Sequence, residues 1–134
     1  MQTSDKYCIL GAGPSGLTVA NQAQALYATH LEPSERTRQA LLLEVARRAE
    51  DRTVEDPSDP NGWYSMAYAL GRYSQSISVA KALALGLGAR VKGALETTIR
   101  LSPKHADAYI ALGTFHAEVI DKVGSLLGRS QGAS

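Results

Sequence analysis

The segment Leu101–Gly113, LSPKHADAYIALG, resembles a stretch earlier in the chain, Asp56–Tyr68, DPSDPNGWYSMAY, and residues of the two stretches match at an offset of 46. The aligned pairs are Pro57 and Pro103, Trp63 and Tyr109, Met66 and Leu112, and Ala67 and Gly113. Proline ends a helix, and a large aromatic side chain six residues later can anchor the next helix against it. The offset therefore predicts a helical unit that buries its apolar face by stacking on a copy of itself.

Both segments resemble the tetratricopeptide (TPR) repeat. Trp63 and Tyr109 occupy its aromatic position, and Ala67 and Gly113 its small-residue position, where the two helices of one repeat cross closely. The resemblance implies an antiparallel array of helical hairpins over residues 34–134, and it implies a protein or peptide partner.

In TPR proteins the first helix of each repeat lines a concave groove. The corresponding positions here are Tyr64, Tyr68, Gly71 and Arg72 in the first copy, and Ile110, Thr114, Ala117 and Glu118 in the second. From these positions, the resemblance implies a set of peptide-binding residues: Tyr64, Tyr68, Arg72, Thr114 and Glu118. Trp63 itself is expected to pack in the core.

The 46-residue period exceeds the usual TPR period of about 34, so we expect an insertion of about 12 residues within Ser76–Gly88. At the same offset Ser134 aligns with Gly88, before the second helix of the second copy. We therefore expect Leu112, Phe115 and Val119 to be partly uncovered, either in a homo-oligomer or in a fragment of a longer protein.

Between the N-terminal segment and the first copy, Ser34 is a candidate N-cap, and apolar residues recur at helical spacing after it. This pattern predicts a helix over residues 35–52. Three arginines cluster on it, Arg47, Arg48 and Arg52, and are interpreted as a solvated face with ion pairs rather than an anion site.

The N-terminal segment has a different pattern. An apolar stretch at residues 7–10 is followed by GAGPSG, residues 11–16, and then by a helix-like stretch. Gly11 would permit a tight turn, Gly13 a close approach to a pyrophosphate, and Gly16 close packing of the helix on the strand. The order of elements is the one that a dinucleotide-binding fingerprint requires.

Residues 6–17, KYCILGAGPSGL, look like the opening of FAD-dependent oxidoreductases, particularly flavin-containing monooxygenases. In that family a second strand ends in an acidic residue that binds the ribose, and Leu26–Leu31 followed by Glu32 is a candidate for both. The further strands of such enzymes have no counterpart in the chain. FAD or NAD(P) is accordingly the cofactor of the alternative hypothesis, and no cofactor is expected under the main one.

These patterns divide the chain into residues 1–33 and 34–134 and predict a mainly α fold with at most a short strand at residues 6–10. The favoured function is a non-enzymatic scaffold or adaptor. The alternative is the nucleotide-binding start of a flavin-dependent oxidoreductase. No catalytic residue is assigned outside the glycine motif.

Composition narrows the choice of partner. The 134 residues, 44% hydrophobic, supply one core, and the net charge of +1 indicates no nucleic-acid partner. The single cysteine, Cys8, excludes an internal disulfide and a cysteine-rich zinc site. His116 and Glu118 differ by about 200° around a helix and do not form a metal site. No membrane span is expected, and the compartment stays open, with the cytoplasm preferred over export.

Overall fold

The computed structural model describes residues 14–132, with side chains from residue 20 to residue 129. In this range the chain forms six helices and no strand. They are α1 (Pro14–His30), α2 (Glu35–Glu55), α3 (Pro60–Gln75), α4 (Val79–Ala84), α5 (Leu87–Leu101) and α6 (Ala106–Gly132). The prediction of a mainly α protein is confirmed. The short strand expected at residues 6–10 lies outside the described residues.

The second strand expected at Leu26–Leu31 is wrong, because α1 continues through this stretch to His30. The apolar residues that suggested a strand are spaced so that a helix buries one side of them. Ala25 and Ala28 are buried in the common core, while Leu26 and Leu31 are exposed. A short apolar run does not by itself distinguish a strand from a helix, and here packing of the alanine face decides in favour of the helix.

Helix α2 starts as predicted, since the Ser34 hydroxyl accepts a hydrogen bond from the backbone N–H of Thr37 at 3.3 Å. An N-cap of this kind satisfies one of the free amides of the first turn and contributes about 1 kcal/mol. The helix extends three residues past the predicted end, to Glu55. It ends where the chain approaches Pro57, because the residue before a proline is disfavoured in the helical conformation.

The two X-Pro turns have nearly the same backbone conformation. Asp56 has φ −140° and ψ 84°, and Ser102, 46 residues later, has φ −138° and ψ 84°. Each of these residues also accepts a turn hydrogen bond, from the N–H of Asp59 at 3.2 Å and from that of His105 at 3.0 Å. The same local sequence signal therefore produces the same turn twice.

Each turn ends in a residue whose side chain caps the following helix. An Asp59 carboxylate oxygen accepts from the N–H of Asn61 at 3.0 Å, and His105 Nδ1 accepts from the N–H of Ala108 at 3.1 Å. Capping of this type leads the chain directly from the proline turn into α3 and α6. The TPR-like pairing of these helices stays a prediction.

The segment expected to hold the insertion contains the short helix α4. The Ser78 hydroxyl caps it by accepting from the N–H of Lys81 at 3.1 Å. It is followed by Gly86, whose φ of 65° lies in the left-handed region. Glycine adopts this conformation without the steric penalty of a Cβ, so the chain can turn sharply into α5 there.

Helix α3 is at the centre of the fold, packed against α1, α2, α5 and α6. Its buried side contributes Leu70 to a core that also contains Leu42 of α2 and Leu95 of α5. Full burial of one such leucine contributes about 2 kcal/mol. Many of the remaining core residues are alanines, which lets the helices approach closely. The exposed side of α3 lies between α1 and α6.

The aligned positions of the two copies differ in their surroundings. Trp63 is partly buried against the core rather than enclosed in it, and its indole Nε1 donates to the carbonyl of Pro57 at 2.9 Å. Tyr109 is 49% exposed. Ala67 is buried at a helix contact, whereas a Cβ on Gly113 would meet nothing within 4 Å. The close crossing expected at Gly113 is absent, because no described helix covers that side of α6.

Candidate functional site

A groove of about 280 Å³ lies between α3 and α6, with α5 at its floor. We call it the α3–α6 groove. Tyr64, Tyr68 and Arg72 lie four residues apart on α3 and therefore on one face of the helix. They line one wall, and Thr114 and Glu118 of α6 line the opposite wall. The fold thus brings all five of the sequence-derived positions to one cavity.

The wall formed by α3 is largely aromatic. The ring centroids of Tyr64 and Tyr68 are 6.4 Å apart, and His105 stacks on the other side of Tyr64 at 4.7 Å. The guanidinium carbon of Arg72 lies 5.4 Å from the centroid of the Tyr68 ring. Tyrosine and arginine offer a large contact area with a polar end, a combination that is frequent in protein interfaces.

The polar end of the groove is connected across the two helices. Arg72 Nη1 donates to Gln75 Oε1 at 3.2 Å, and Gln75 Nε2 donates to Glu118 Oε1 at 2.7 Å. The amide of Gln75 therefore lies between a cation and an anion. Among the described residues no carboxylate is within ion-pair distance of Arg72, whereas five other arginines have such a partner: Arg38, Arg47, Arg48, Arg52 and Arg90.

Burial raises the pKa of the Tyr64 hydroxyl above 10.0. The negative charge of Asp107 and the neighbouring Tyr68 act in the same direction, and the positive charge of Arg72 opposes them. The phenol is therefore protonated at neutral pH and is available as a hydrogen-bond donor to whatever enters the groove.

Several residues that line the groove were missed by the sequence reasoning, and two of them, Gln75 and Asp107, have polar side chains that bear on the chemistry of the groove. Gln75 and Asp107 both line the cavity, and neither occupies one of the positions inferred from the resemblance. Gln75 carried a local signal, because it lies three residues after Arg72 on the same helix. Asp107 precedes the anchor aromatic of its helix and had no such signal. In contrast, Ala117 does not line the cavity.

A second cavity, of about 270 Å³, lies between α1 and α3. We call it the α1 cavity. It shares Tyr64, Tyr68 and Asp107 with the α3–α6 groove, so the two form a continuous concave surface across α1, α3 and α6. Its α1 wall includes Asn21, which is only 7% exposed. Helix α1 thus contributes to the same surface as the later helices.

The residues expected to bind a dinucleotide are not brought together in the part of the chain that the structure describes. Gly11 and Gly13 lie outside that part, and Gly16 is in the first turn of α1. The Glu32 carboxylate accepts from the Tyr27 hydroxyl at 2.8 Å and from the N–H of Ser34 at 3.0 Å. It follows a helix rather than a strand, and its contacts hold the connection between α1 and α2.

The arginine cluster on α2 is paired with acidic side chains. Arg47 lies 3.5 Å from Asp51, and Arg52 lies within 3.8 Å of three carboxylates, those of Glu55, Asp56 and Asp59. The pairs with Asp56 and Asp59 join the end of α2 to the start of α3. A structural role in this turn accounts for Arg52.

Other kinds of site have no support in residues 14–132. These residues contain no group of three histidine, cysteine or acidic side chains that could hold a metal ion. None of the described helices combines the length and apolar character needed to cross a bilayer.

Comparison with known proteins identifies no family, since no protein-family model, curated protein or solved structure matches the chain. Function must therefore be argued from the groove.

Proposed function

We propose that the protein is a non-enzymatic interaction module whose α3–α6 groove binds a peptide or a helix of a partner protein. The proposal depends chiefly on one observation, the convergence of Tyr64, Tyr68 and Arg72 with Thr114 and Glu118 around one open cavity. Aromatic and arginine side chains supply a large share of the binding energy at protein interfaces. A TPR-like pairing of the helices agrees with this role.

Charge indicates one feature of the partner. Arg72 contacts an aromatic face and an amide but no described carboxylate, so its positive charge is available to an incoming group. A charge-assisted hydrogen bond from a guanidinium to a carboxylate is among the stronger polar contacts that proteins make. We therefore expect the bound segment to carry an acidic side chain that reaches Arg72.

The alternative, a flavoprotein fragment, is supported by the glycine motif of the sequence, most of which lies outside the described residues. The candidate ribose-binding residue, Glu32, is engaged in the α1–α2 connection, and the expected second strand is a helix. No parallel pair of strands occurs in residues 14–132 to form the crevice in which a dinucleotide binds.

Self-association is the second part of the proposal. Helix α6 exposes apolar side chains along its outer surface, including Ile120 (73% exposed) and Leu127 (60%). Exposed apolar side chains that adjoin one another on a surface commonly mark a site of protein–protein contact. We propose that a second copy of the chain covers this face.

Peptide binding can be tested without knowing the natural partner. The probe is a fluorescein-labelled pool of seven-residue peptides with a fixed central Glu and random residues elsewhere, compared with a pool that has a central Gln. Fluorescence anisotropy measures the apparent Kd of each pool. We expect the Glu pool to bind more tightly, and Arg72→Gln to remove about a tenfold share of that affinity.

The control is Arg36→Gln, which removes an exposed arginine that does not line the groove. It should leave the apparent Kd unchanged. Failure of both pools to bind the wild-type chain at millimolar concentration, or equal binding of both pools to the wild type and Arg72→Gln, would contradict the proposed role of the groove.

A further inference from the structure

We infer that the second copy of the chain pairs with α6 in an antiparallel, coiled-coil-like arrangement whose two-fold axis crosses α6 at the level of Glu118. This inference rests on the self-association proposed above, and it adds the orientation and the register of the two helices. It has one functional consequence, because the resulting dimer presents two α3–α6 grooves.

The first observation is a line of exposed residues along α6. Beginning at Tyr109, its members follow one another at alternating intervals of four and three residues. This spacing keeps side chains on the one side of a helix that faces the partner in a coiled coil. All of them are exposed, and the line extends for about 27 Å. We call these six residues the α6 seam: Tyr109, Gly113, His116, Ile120, Val123 and Leu127.

The second observation concerns charge. The α6 seam contains no Asp, Glu, Lys or Arg, and the positions that flank it hold only uncharged residues: Ile110, Leu112, Ala117, Val119, Gly124 and Leu126. The charged residues of α6 lie on its other sides: Asp107, Glu118, Asp121, Lys122 and Arg129. Charges beside a coiled-coil seam select the partner, whereas homodimer interfaces are more apolar than those between unlike proteins. An identical copy therefore suits this side of α6.

The third observation is that the α6 seam is complementary to itself. Its residues form pairs that are equally distant from Glu118: Tyr109 and Leu127 at nine residues, Gly113 and Val123 at five, and His116 and Ile120 at two. In an antiparallel two-fold pair centred there, each residue faces the other member of its pair in the second copy, so Val123 fills the space beside Gly113. In a parallel pair each residue faces its own equivalent, and Gly113 opposite Gly113 would leave a void.

The exposed apolar area is large enough for a dimer. Six large apolar residues in or beside the seam are between 40% and 73% exposed: Tyr109, Val119, Ile120, Val123, Leu126 and Leu127. With about 150–200 Å² for a whole residue of this kind, they expose about 500 Å² in each copy. Two seams together bury about 1,000 Å², which is the size at which specific interfaces begin.

Pairing through the α6 seam leaves the α3–α6 groove open. Glu118 lies on the opposite side of α6 from the seam, where its carboxylate accepts a hydrogen bond from Gln75 Nε2 at 2.7 Å. Each copy therefore keeps its own groove. A partner with two acidic segments can occupy both grooves at once, which raises its apparent affinity without any new contact.

The test uses the full chain with its single cysteine replaced, Cys8→Ser, and one new cysteine at a time as the attachment point of a spin label. The labelled variants are Lys122→Cys, Arg129→Cys and Asp107→Cys, none of which is in the seam. Double electron–electron resonance measures the distance between the two labels of a dimer. Lys122 is four residues from Glu118, and Arg129 and Asp107 are each 11 residues from it.

We expect a label separation along the helix axis of about 12 Å for Lys122→Cys and about 33 Å for both other variants. Arg129→Cys and Asp107→Cys should therefore give the same distance, and Lys122→Cys a shorter one. A parallel pair would give equal distances for Lys122→Cys and Arg129→Cys, because these positions are one heptad apart on the same side of the helix. Another antiparallel register would give unequal distances for Arg129→Cys and Asp107→Cys.

Two further substitutions in the Arg129→Cys background control for the seam. Ile120→Asp places a charge in the seam and should weaken dimerisation about a hundredfold or more, which removes the dipolar signal. Ser125→Asp adds the same charge at an exposed position on the other side of α6 and should leave the signal unchanged. Ile120 is 73% exposed, so its replacement should leave the helical circular dichroism of the monomer unchanged.

The outcomes separate this inference from the proposed function. The distances of a parallel pair or of another register overturn the inference and leave self-association in place. Absence of a dipolar signal in all three labelled variants, with a sedimentation coefficient that does not change with concentration, overturns self-association as well. Ile120→Asp should leave the apparent Kd of the Glu pool unchanged, and a change of more than about threefold would contradict the separation of seam and groove.

Discussion

Replacing the two aligned aromatic residues by alanine should have unequal effects on stability. Trp63 is partly buried against the core, and Tyr109 is 49% exposed on α6. An enclosed aromatic side chain removes about 150–250 Å² from water, and partial burial of Trp63 corresponds to about 120 Å². At about 25 cal/mol per Å², truncation loses about 3 kcal/mol.

The hydrogen bond from Trp63 Nε1 to the Pro57 carbonyl adds to this loss, but by only about 0.5 kcal/mol, because water can replace it in the variant. Tyr109 makes no described hydrogen bond and packs against little. We expect Tyr109→Ala to lower the free energy of unfolding by about 1 kcal/mol or less.

Urea denaturation followed by circular dichroism at 222 nm measures both losses, provided that the slope with denaturant is the same for each variant and the wild type. Losses that agree within about 0.5 kcal/mol would refute the reasoning, since the two sites would then be equally buried in solution. Self-association through α6 would raise the Tyr109 value, so the measurement is repeated at two protein concentrations.

Three other predictions follow from local geometry. Gly86→Ala should lower the free energy of unfolding by about 1 kcal/mol because φ is 65° there, whereas Gly93→Ala, in open space on α5, should raise it by about 0.5–1 kcal/mol; urea denaturation measures both. The raised pKa of Tyr64 means that the unfolded chain releases this proton first, so stability falls as the pH rises above 10.0; Tyr64→Phe should make that fall shallower in alkaline urea titrations, and an identical slope would contradict it. We expect the sedimentation coefficient of the wild type to rise with protein concentration and that of Ile120→Asp to stay constant. A wild-type sedimentation coefficient that does not change with concentration would exclude self-association.

Helix boundaries were the most predictable part of the fold. The cap at Ser34 and the ends of α2 and α5 before their X-Pro turns depend on residues close in sequence. The strand expected at Leu26–Leu31 is wrong because the structure of this stretch depends on residues far away in the sequence. A short apolar run is compatible with either structure, and the buried contacts of Ala25 and Ala28 with other helices decide it.

The candidate site was predictable in part. Tyr64, Tyr68 and Arg72 share a face because of helical spacing alone, so the sequence could group them. Gln75 and Asp107 belong to the site only because α6 lies beside α3 in the fold. The contribution of α1 to the neighbouring cavity could not be predicted, because its segment resembles a nucleotide-binding motif and no local pattern indicates which helix α1 packs against.

The sequence by itself determined the helical class, the two proline turns and the aromatic face of α3, because each depends on interactions within a few residues. Only the tertiary structure decided that Trp63 is covered while Tyr109 is not, and that α1, α3 and α6 form one concave surface. These features depend on contacts between residues far apart in the chain, such as Gln75 with Glu118, and local propensity contains no information about such contacts.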